Sequence, residues 1–113
     1  MHEVGLMQEA LDIVEDHARR GGAKRVLSIR LRVGDDSGVM PDSLRLAFDA
    51  LVPETIAGQA RLDIEAGPVV CYCPRCNDEF APDDIFYECP WCGTRTSDVR
   101  AGREFQVVSV EVE

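Results

Sequence analysis

Four cysteines in the second half of the chain have the spacing of a metal site. Cys73 and Cys76 form one C-x2-C pair, and Cys89 and Cys92 form another after twelve intervening residues. Two cysteines on one tight turn can reach the same ion, so two such turns supply four thiolates in a tetrahedron. The pattern predicts a structural zinc site, although spacing alone also permits a rubredoxin-like iron site.

Each pair of cysteines lies in a turn suited to holding thiolates. Pro74 and Pro90 favour a tight turn, while Asn77 and Gly93, after the second cysteine of each pair, accept a left-handed backbone. Such turns direct backbone N–H groups at the sulfur atoms. Zinc bound by four thiolates has no open coordination position, so we expect this site to be structural and not catalytic.

The cysteine segment also contains a fifth cysteine and two aromatic residues, and its paired cysteines admit a redox alternative. A thioredoxin-like dithiol is disfavoured, because one pair would suffice for it and no βαβ pattern surrounds either pair. Cys71 is left over as a spare thiol, an alternate ligand or an ordinary strand residue, and the last is favoured. We expect Tyr87 and Trp91 to pack within the segment rather than to stack on nucleic-acid bases.

The start of the chain, Met1-His2-Glu3, is a second candidate metal site. The terminal amine, the His2 amide nitrogen and the His2 imidazole can close fused chelate rings, and Ni(II) and Cu(II) accept square-planar nitrogen sets. Glu3 can add a carboxylate or orient the imidazole. On these residues alone, a solvated terminal histidine is the competing interpretation.

Length and charge narrow the class of protein. The 113 residues suffice for one compact domain, or for a small domain with a metal-held module. A net charge of −9 disfavours nonspecific binding to nucleic acid or to an anionic membrane. Paired cysteines without a basic-then-apolar leader predict reduced thiols in the cytoplasm, and no apolar run approaches membrane length.

Hydrophobic periodicity predicts five elements, namely a helix over 4–20, a strand over 24–33, a helix from Pro41 or Asp42 to Leu51, and strands over 60–65 and 104–113. Two apolar faces are expected to be buried. They are Val4, Met7, Leu11, Val14 and Ala18, widened by Leu6, Ala10 and Ile13, in the first helix, and Leu27, Ile29, Leu31 and Val33 in the first strand. In the last strand, Val108, Val110 and Val112 are expected to share one face.

The order of these elements predicts the fold. The last strand has no partner beyond the cysteine segment, so it should return to the first sheet. We therefore expect an α+β fold, a small mixed β-sheet with two helices, and a zinc-ribbon-like module of two cysteine knuckles inserted before the last strand. The predicted domains are 1–67 with 103–113, which would bind nickel, and 68–102, which would bind zinc.

Several of these features together resemble the HypA/HybF family, nickel metallochaperones of hydrogenase maturation. They are the Met-His-Glu start, the αβαβ body, the C-x2-C-x12-C-x2-C segment and the closing Ser-Val-Glu-Val-Glu. The resemblance spans essentially the whole chain. It implies nickel binding by Met1, His2 and Glu3. It also implies structural zinc binding by the cysteines Cys73, Cys76, Cys89 and Cys92, with Cys71 departing from the four-cysteine pattern.

The resemblance also implies partners and a mode of action. Members deliver nickel with a partner GTPase to the hydrogenase large subunit precursor, and some also serve urease. The implied function is transfer of Ni(II) rather than catalysis, and a homodimer is left open. The competing class is a zinc-ribbon nucleic-acid-binding or interaction module, which the charge of −9 opposes.

Overall fold

In the computed structural model, which describes residues 2–83 and 85–113, the chain forms two helices and six strands. Their bounds are α1 His2–Arg20, β1 Val26–Gly34, α2 Pro41–Leu51, β2 Arg61–Gly67, β3 Val70–Cys73, β4 Asp78–Phe80, β5 Val99–Ala101 and β6 Phe105–Val112. The molecule is elongated, measuring 54 × 28 × 17 Å. Within these residues neither helix combines the length and apolar character needed to cross a membrane.

The larger sheet has the strand order β2-β1-β6 and is mixed. Strand β1 pairs in parallel with β2, so that Gly34 lies opposite Gly67, and antiparallel with β6, so that Val33 lies opposite Phe105. Parallel neighbours need a crossover connection, which α2 provides. The predicted order of elements, the mixed sheet and the return of the last strand are all confirmed.

The core of this larger sheet lies between its inner face and the two helices. Its most deeply buried side chains come from both helices and from β1, and they are Met7, Val14, Val26, Ile29, Leu31 and Leu44. The predicted stripe of α1 is buried at Met7, Ala10, Leu11, Val14 and Ala18. Ile13 was expected to widen this stripe, but it is 62% exposed because it lies on the flank of the helix.

Two β-bulges overturn parts of the predicted strand alternation. Val26 is opposite Val112 and Ser28 is opposite Glu111, so Leu27 is an extra residue and is 42% exposed, while Val26 is buried. In β6 the extra residue is Val108, which is also 42% exposed. A bulge moves the following side chains to the opposite face, which a strict two-residue period cannot anticipate.

The second sheet, in the order β4-β3-β5, is antiparallel and carries a separate, smaller core. Its buried side chains are Cys71, Cys73, Phe80 and Cys89. Cys71 is fully buried in β3 opposite Phe80, which agrees with the interpretation of an ordinary strand residue. A core with so little apolar surface is typical of a segment held together by a metal ion.

Candidate functional site

The four predicted cysteines converge on one point. Their sulfur atoms all lie within 4.8 Å of one another, with 3.6 Å between Cys73 Sγ and Cys92 Sγ and 3.8 Å between Cys76 Sγ and Cys89 Sγ. Four sulfurs placed ~2.3 Å from one ion in a tetrahedron are separated by ~3.8 Å. The cluster therefore has the dimensions of a closed tetrathiolate site and fits a zinc ion.

The local backbone explains why these side chains converge. Asn77 and Gly93 both adopt the predicted left-handed conformation, with φ of 54° and 75°. The Cys76 N–H points at Cys73 Sγ, 3.4 Å away, as expected for a knuckle. In the second turn, the Gly93 N–H donates to the Cys89 carbonyl oxygen at 2.9 Å. Each turn thus places its own two thiols on the same side of the backbone, facing the other pair.

Hydrogen bonds within the cluster shift the pKa values of two of its thiols in opposite directions. Thr94 Oγ1 lies 3.1 Å from Cys92 Sγ, and the Thr94 hydroxyl and backbone N–H lower the pKa of Cys92 to about 6. The hydrogen bond to Cys92 raises the pKa of Cys76 to about 12. The thiolate is the form that binds a metal ion, so the lowered pKa of Cys92 favours metal binding by that sulfur.

The side chains around the cluster are only partly as expected. Tyr87 is half-buried and packs against the small core, as predicted. Trp91 is 63% exposed, so the expectation that it packs within the segment is wrong. It lies between Pro90 and Cys92 at the tip of the second turn, where the backbone directs both cysteines inward and leaves the intervening side chain outside.

At the other candidate site, Met1 lies outside the described residues and His2 is the first residue of α1. His2 is exposed, and its Nδ1 lies 3.7 Å from Glu3 Oε2. His17, the other histidine, lies in the last turn of the same helix.

Glu3 has a contact that the sequence did not suggest. Its Oε2 accepts the backbone N–H of Met40 at 3.4 Å, and Met40 is the N-cap residue of α2. Hydrogen bonds from the Glu3 and Met40 backbones lower the pKa of the Glu3 carboxyl, so it is ionised at neutral pH. A carboxylate is favourable at this positive end of a helix. The contact ties the nickel-binding candidate residues to the start of α2.

Only the cysteines form a compact multidentate set in the part of the chain described. There, Cys73, Cys76, Cys89 and Cys92 are the one group of three or more His, Cys, Asp or Glu side chains with metal-binding proximity. His2 and Glu3 do not join this group, and neither does Cys71. The two candidate metal sites are therefore built from separate residues.

Comparisons with known proteins match the chain over its whole length. A family model described as hydrogenase/urease nickel incorporation, metallochaperone, hypA matches residues 1–112. The hydrogenase maturation factor HypA of Picosynechococcus is 42% identical over 112 residues, covering 99% of each chain. The factor of the same name from Geobacter metallireducens is 39% identical over 113 residues and covers both chains fully.

Solved structures show the same fold. The solution structure of the Ni metallochaperone HypA from Helicobacter pylori aligns with a TM-score of 0.70 at 24% identity, covering 97% of this chain and 96% of that one. A second solution structure, of a HypA protein, aligns with a TM-score of 0.75 over 100% of this chain and 97% of that chain. The fold of two helices and two small sheets is thus shared with these proteins.

Proposed function

Because the chain belongs to the HypA family of nickel-incorporation metallochaperones, we propose that it binds Ni(II) at its N-terminus and delivers it during [NiFe]-hydrogenase maturation. A partner GTPase assists and the hydrogenase large subunit precursor receives the ion, with urease as the alternative recipient. The protein acts in the cytoplasm as a carrier and not as an enzyme. The observation that supports this most strongly is a family match over residues 1–112, which includes the Met-His-Glu start and all four cluster cysteines.

The proposed nickel ligands are Met1, His2 and Glu3. The Met1 amine, the His2 amide nitrogen and the His2 imidazole provide a chelating nitrogen set, which suits Ni(II) in square-planar geometry. The exposure of His2 and the proximity of its imidazole to the Glu3 carboxylate support this assignment. A site with few ligands on an exposed chain end can release its ion to a recipient, which a closed site cannot do readily.

The proposed zinc ligands are Cys73, Cys76, Cys89 and Cys92. The sulfur separations fit one tetrahedral ion, and four thiolates leave no position for substrate or water. The zinc role is therefore structural. We divide the chain into an α/β domain, 1–67 with 103–113, and a cysteine module, 68–102. The two separate sheets and the two separate cores support this division.

The proposed partners are proteins. A net charge of −9 opposes binding to the nucleic-acid backbone and to anionic membranes, so neither is a partner in this proposal. The GTPase and the large subunit precursor would meet the protein while nickel is bound at the chain end. A homodimer is the alternative assembly, and light scattering of the zinc-loaded protein with and without Ni(II) distinguishes it from a monomer.

Replacing the two histidines separately tests the nickel assignment. We expect His2→Ala to abolish specific Ni(II) binding in calorimetry, because it removes the imidazole ligand, while the zinc content of the purified protein stays unchanged. His17→Ala is the matched control, since it removes another exposed histidine from the same helix. Wild-type nickel affinity in the His2→Ala variant would refute the site assignment.

An extension of the chain tests the terminal amine. Residues added before Met1 should weaken Ni(II) binding, because the α-amine then becomes a peptide nitrogen and the chelate loses its end. The same residues added after Glu113 are the control. If both tagged proteins bind Ni(II) as the untagged protein does, the amine is not a ligand.

A further inference from the structure

An open groove lies on the outer flank of helix α1, between this helix and strand β6. Its volume is about 260 Å³, and the apolar part of its lining comes from both elements, namely Ile13 and Val14 of α1 and Val107, Val108 and Val110 of β6. Ile13 is 62% exposed and Val108 is 42% exposed, so aliphatic side chains at the groove remain in contact with water. A partner that covered them would gain from their burial.

The groove lies beside the free edge of the larger sheet. Strand β6 pairs with β1 alone, and within the described part of the chain no strand covers its other edge. Every second N–H and C=O group of an edge strand points away from its neighbour. No residue of β1 or α2 lines the groove, and α1 packs against α2 on its other flank. A strand added to β6 would therefore run directly past the groove.

The sequence of β6 does little to block such an addition. Exposed strand edges are usually protected by Lys, by Pro, by inward-pointing charges or by bulges. Strand Phe105–Val112 contains no Lys or Pro, and Glu111 is its one charged residue. The bulge at Val108 interrupts the pairing with β1, but residues 109–112 continue beyond it as strand. A short edge is thus open to pairing with another extended chain.

The charges beside the groove indicate the kind of partner. Glu9 lies one helical turn before Ile13 on the same face of α1, and Glu111 follows Val110 in β6. Neither carboxylate belongs to an ion pair among the described residues, whereas both arginines in the last turn of α1 pair with carboxylates of the same helix. The border of the groove is therefore negative, as is the whole chain with its net charge of −9. A cationic partner is attracted here, and a second copy of this acidic chain is repelled.

We propose that β6 and the adjoining flank of α1 bind an extended, basic segment of a partner protein. The segment adds to the free edge of β6 as a fourth strand of the larger sheet, and its main-chain hydrogen bonds provide the affinity. Side chains of a strand alternate between the two faces, so every second one lies on the α1 side, where an aliphatic side chain fits against Ile13 and Val110. The alternate positions carry Lys or Arg and lie on the opposite face, where Glu111 pairs across from Ser28. Neither candidate metal site contributes a residue to this surface, so the proposal does not depend on which ions the protein binds.

Titration of the full-length, zinc-loaded protein with a designed peptide tests this surface. The probe is acetyl-Lys-Val-Lys-Val-Lys-Val-Lys-amide, whose valines share one face and whose lysines share the other, and the control peptide has Glu in place of every Lys. In amide correlation spectra we expect the Lys peptide to shift the resonances of β6 and of residues 13–17 and to slow the hydrogen exchange of β6 amides. The Glu peptide should change neither, and added NaCl should weaken binding of the Lys peptide.

Two exposed aliphatic residues provide a matched pair of variants. Ile13→Lys places a cation at the groove and should weaken binding of the Lys peptide by about tenfold. Leu46→Lys makes the same kind of change at a residue of α2 that is 72% exposed and lies outside the groove, so the affinity should stay unchanged. Amide dispersion and zinc content show that each variant is folded, and the two peptides decide the question on the wild type if a variant is not.

Three results of these titrations would overturn the proposal. They are unchanged β6 resonances at about 1 mM Lys peptide, equal binding of the Glu peptide, and wild-type affinity in a folded Ile13→Lys variant. Protection of the β6 amides without any peptide, together with the mass of a dimer in light scattering, would overturn it as well, because a second copy of the chain would then cover the groove.

Discussion

Two cysteines on strand β3 allow a sharp test of what holds the module together. Cys71 and Cys73 lie two residues apart, and both are fully buried, but only Cys73 contributes a sulfur to the cluster. Ser replaces the sulfur by oxygen and removes a thiolate ligand. We expect Cys73→Ser to lose zinc and to unfold residues 70–101, whereas Cys71→Ser keeps both its zinc and its fold.

The two substitutions should differ in how much stability they cost, because Cys73 is a proposed zinc ligand and Cys71 is only a buried strand residue. A structural zinc site contributes about 10–16 kcal/mol of apparent binding free energy. The main apolar side chain buried in the module is Phe80, and burial of such a residue contributes about 1.5–3 kcal/mol. The metal therefore dominates the stability of the module. Cys71→Ser should cost only the burial of a hydroxyl, about 1–3 kcal/mol.

Amide correlation spectra of both variants, recorded with metal analysis, check this prediction. The α/β domain has its own core, so its resonances should stay dispersed in both proteins, while those of the module collapse in Cys73→Ser. A zinc chelator added to the wild type should reproduce the Cys73→Ser spectrum. The reasoning fails if the module stays dispersed without zinc, or if Cys71→Ser loses the metal to the same extent.

Two further predictions concern the place where the chain enters and leaves the cysteine module, at Gly67 and Gly102 beside Gly34. Gly34→Ala should destabilise the protein by about 1–3 kcal/mol in urea unfolding, because its Cβ would overlap the Gly102 backbone; Gly5→Ala, in open space on α1, is the control and should not destabilise. Backbone N–H groups of Gly102, Glu104 and Arg103 lower the pKa of the Glu104 carboxyl. Its contribution to stability is then present above the ordinary value of 4.5 and is lost as the pH falls below it, so Glu104→Gln should show a smaller loss of unfolding free energy on acidification than the wild type.

Much of the fold could be predicted because its signals are local. The helices and the knuckle turns follow from apolar spacing and from the residues Asn77 and Gly93, and both turns adopt the expected left-handed backbone. The assignments of Leu27 and Val108 were wrong because a bulge depends on how two strands pair, which neither strand encodes by itself. Ile13 fits the apolar period of α1, but it lies outside the part of the helix surface that packs on the sheet, so it is exposed.

The two candidate sites differ in how well the local sequence predicts them. Cysteine spacing identifies the cluster directly, because thiolates at such intervals have few other uses. At the chain end, the residues around His2 do not distinguish a metal-binding histidine from a solvated one. Only the resemblance of the whole chain to a family favoured His2 as a nickel ligand. The ion pair between Asp36 and Arg103 and the hydrogen bond from the Met40 N–H to Glu3 could not be predicted, since each joins segments that are distant along the chain.

Topology explains why these distant segments meet. Because β2 runs parallel to β1, its end at Gly67 lies beside the end of β1 at Gly34, and antiparallel β6 begins there as well. A module inserted between β2 and β6 must then leave and return at this one edge. The loop after β1 starts at the same edge and leads to Met40, where Glu3 binds. The strand pairing therefore brings the cysteine module and the chain end to a common segment, residues 34–40, which no pattern in either region of the sequence predicts.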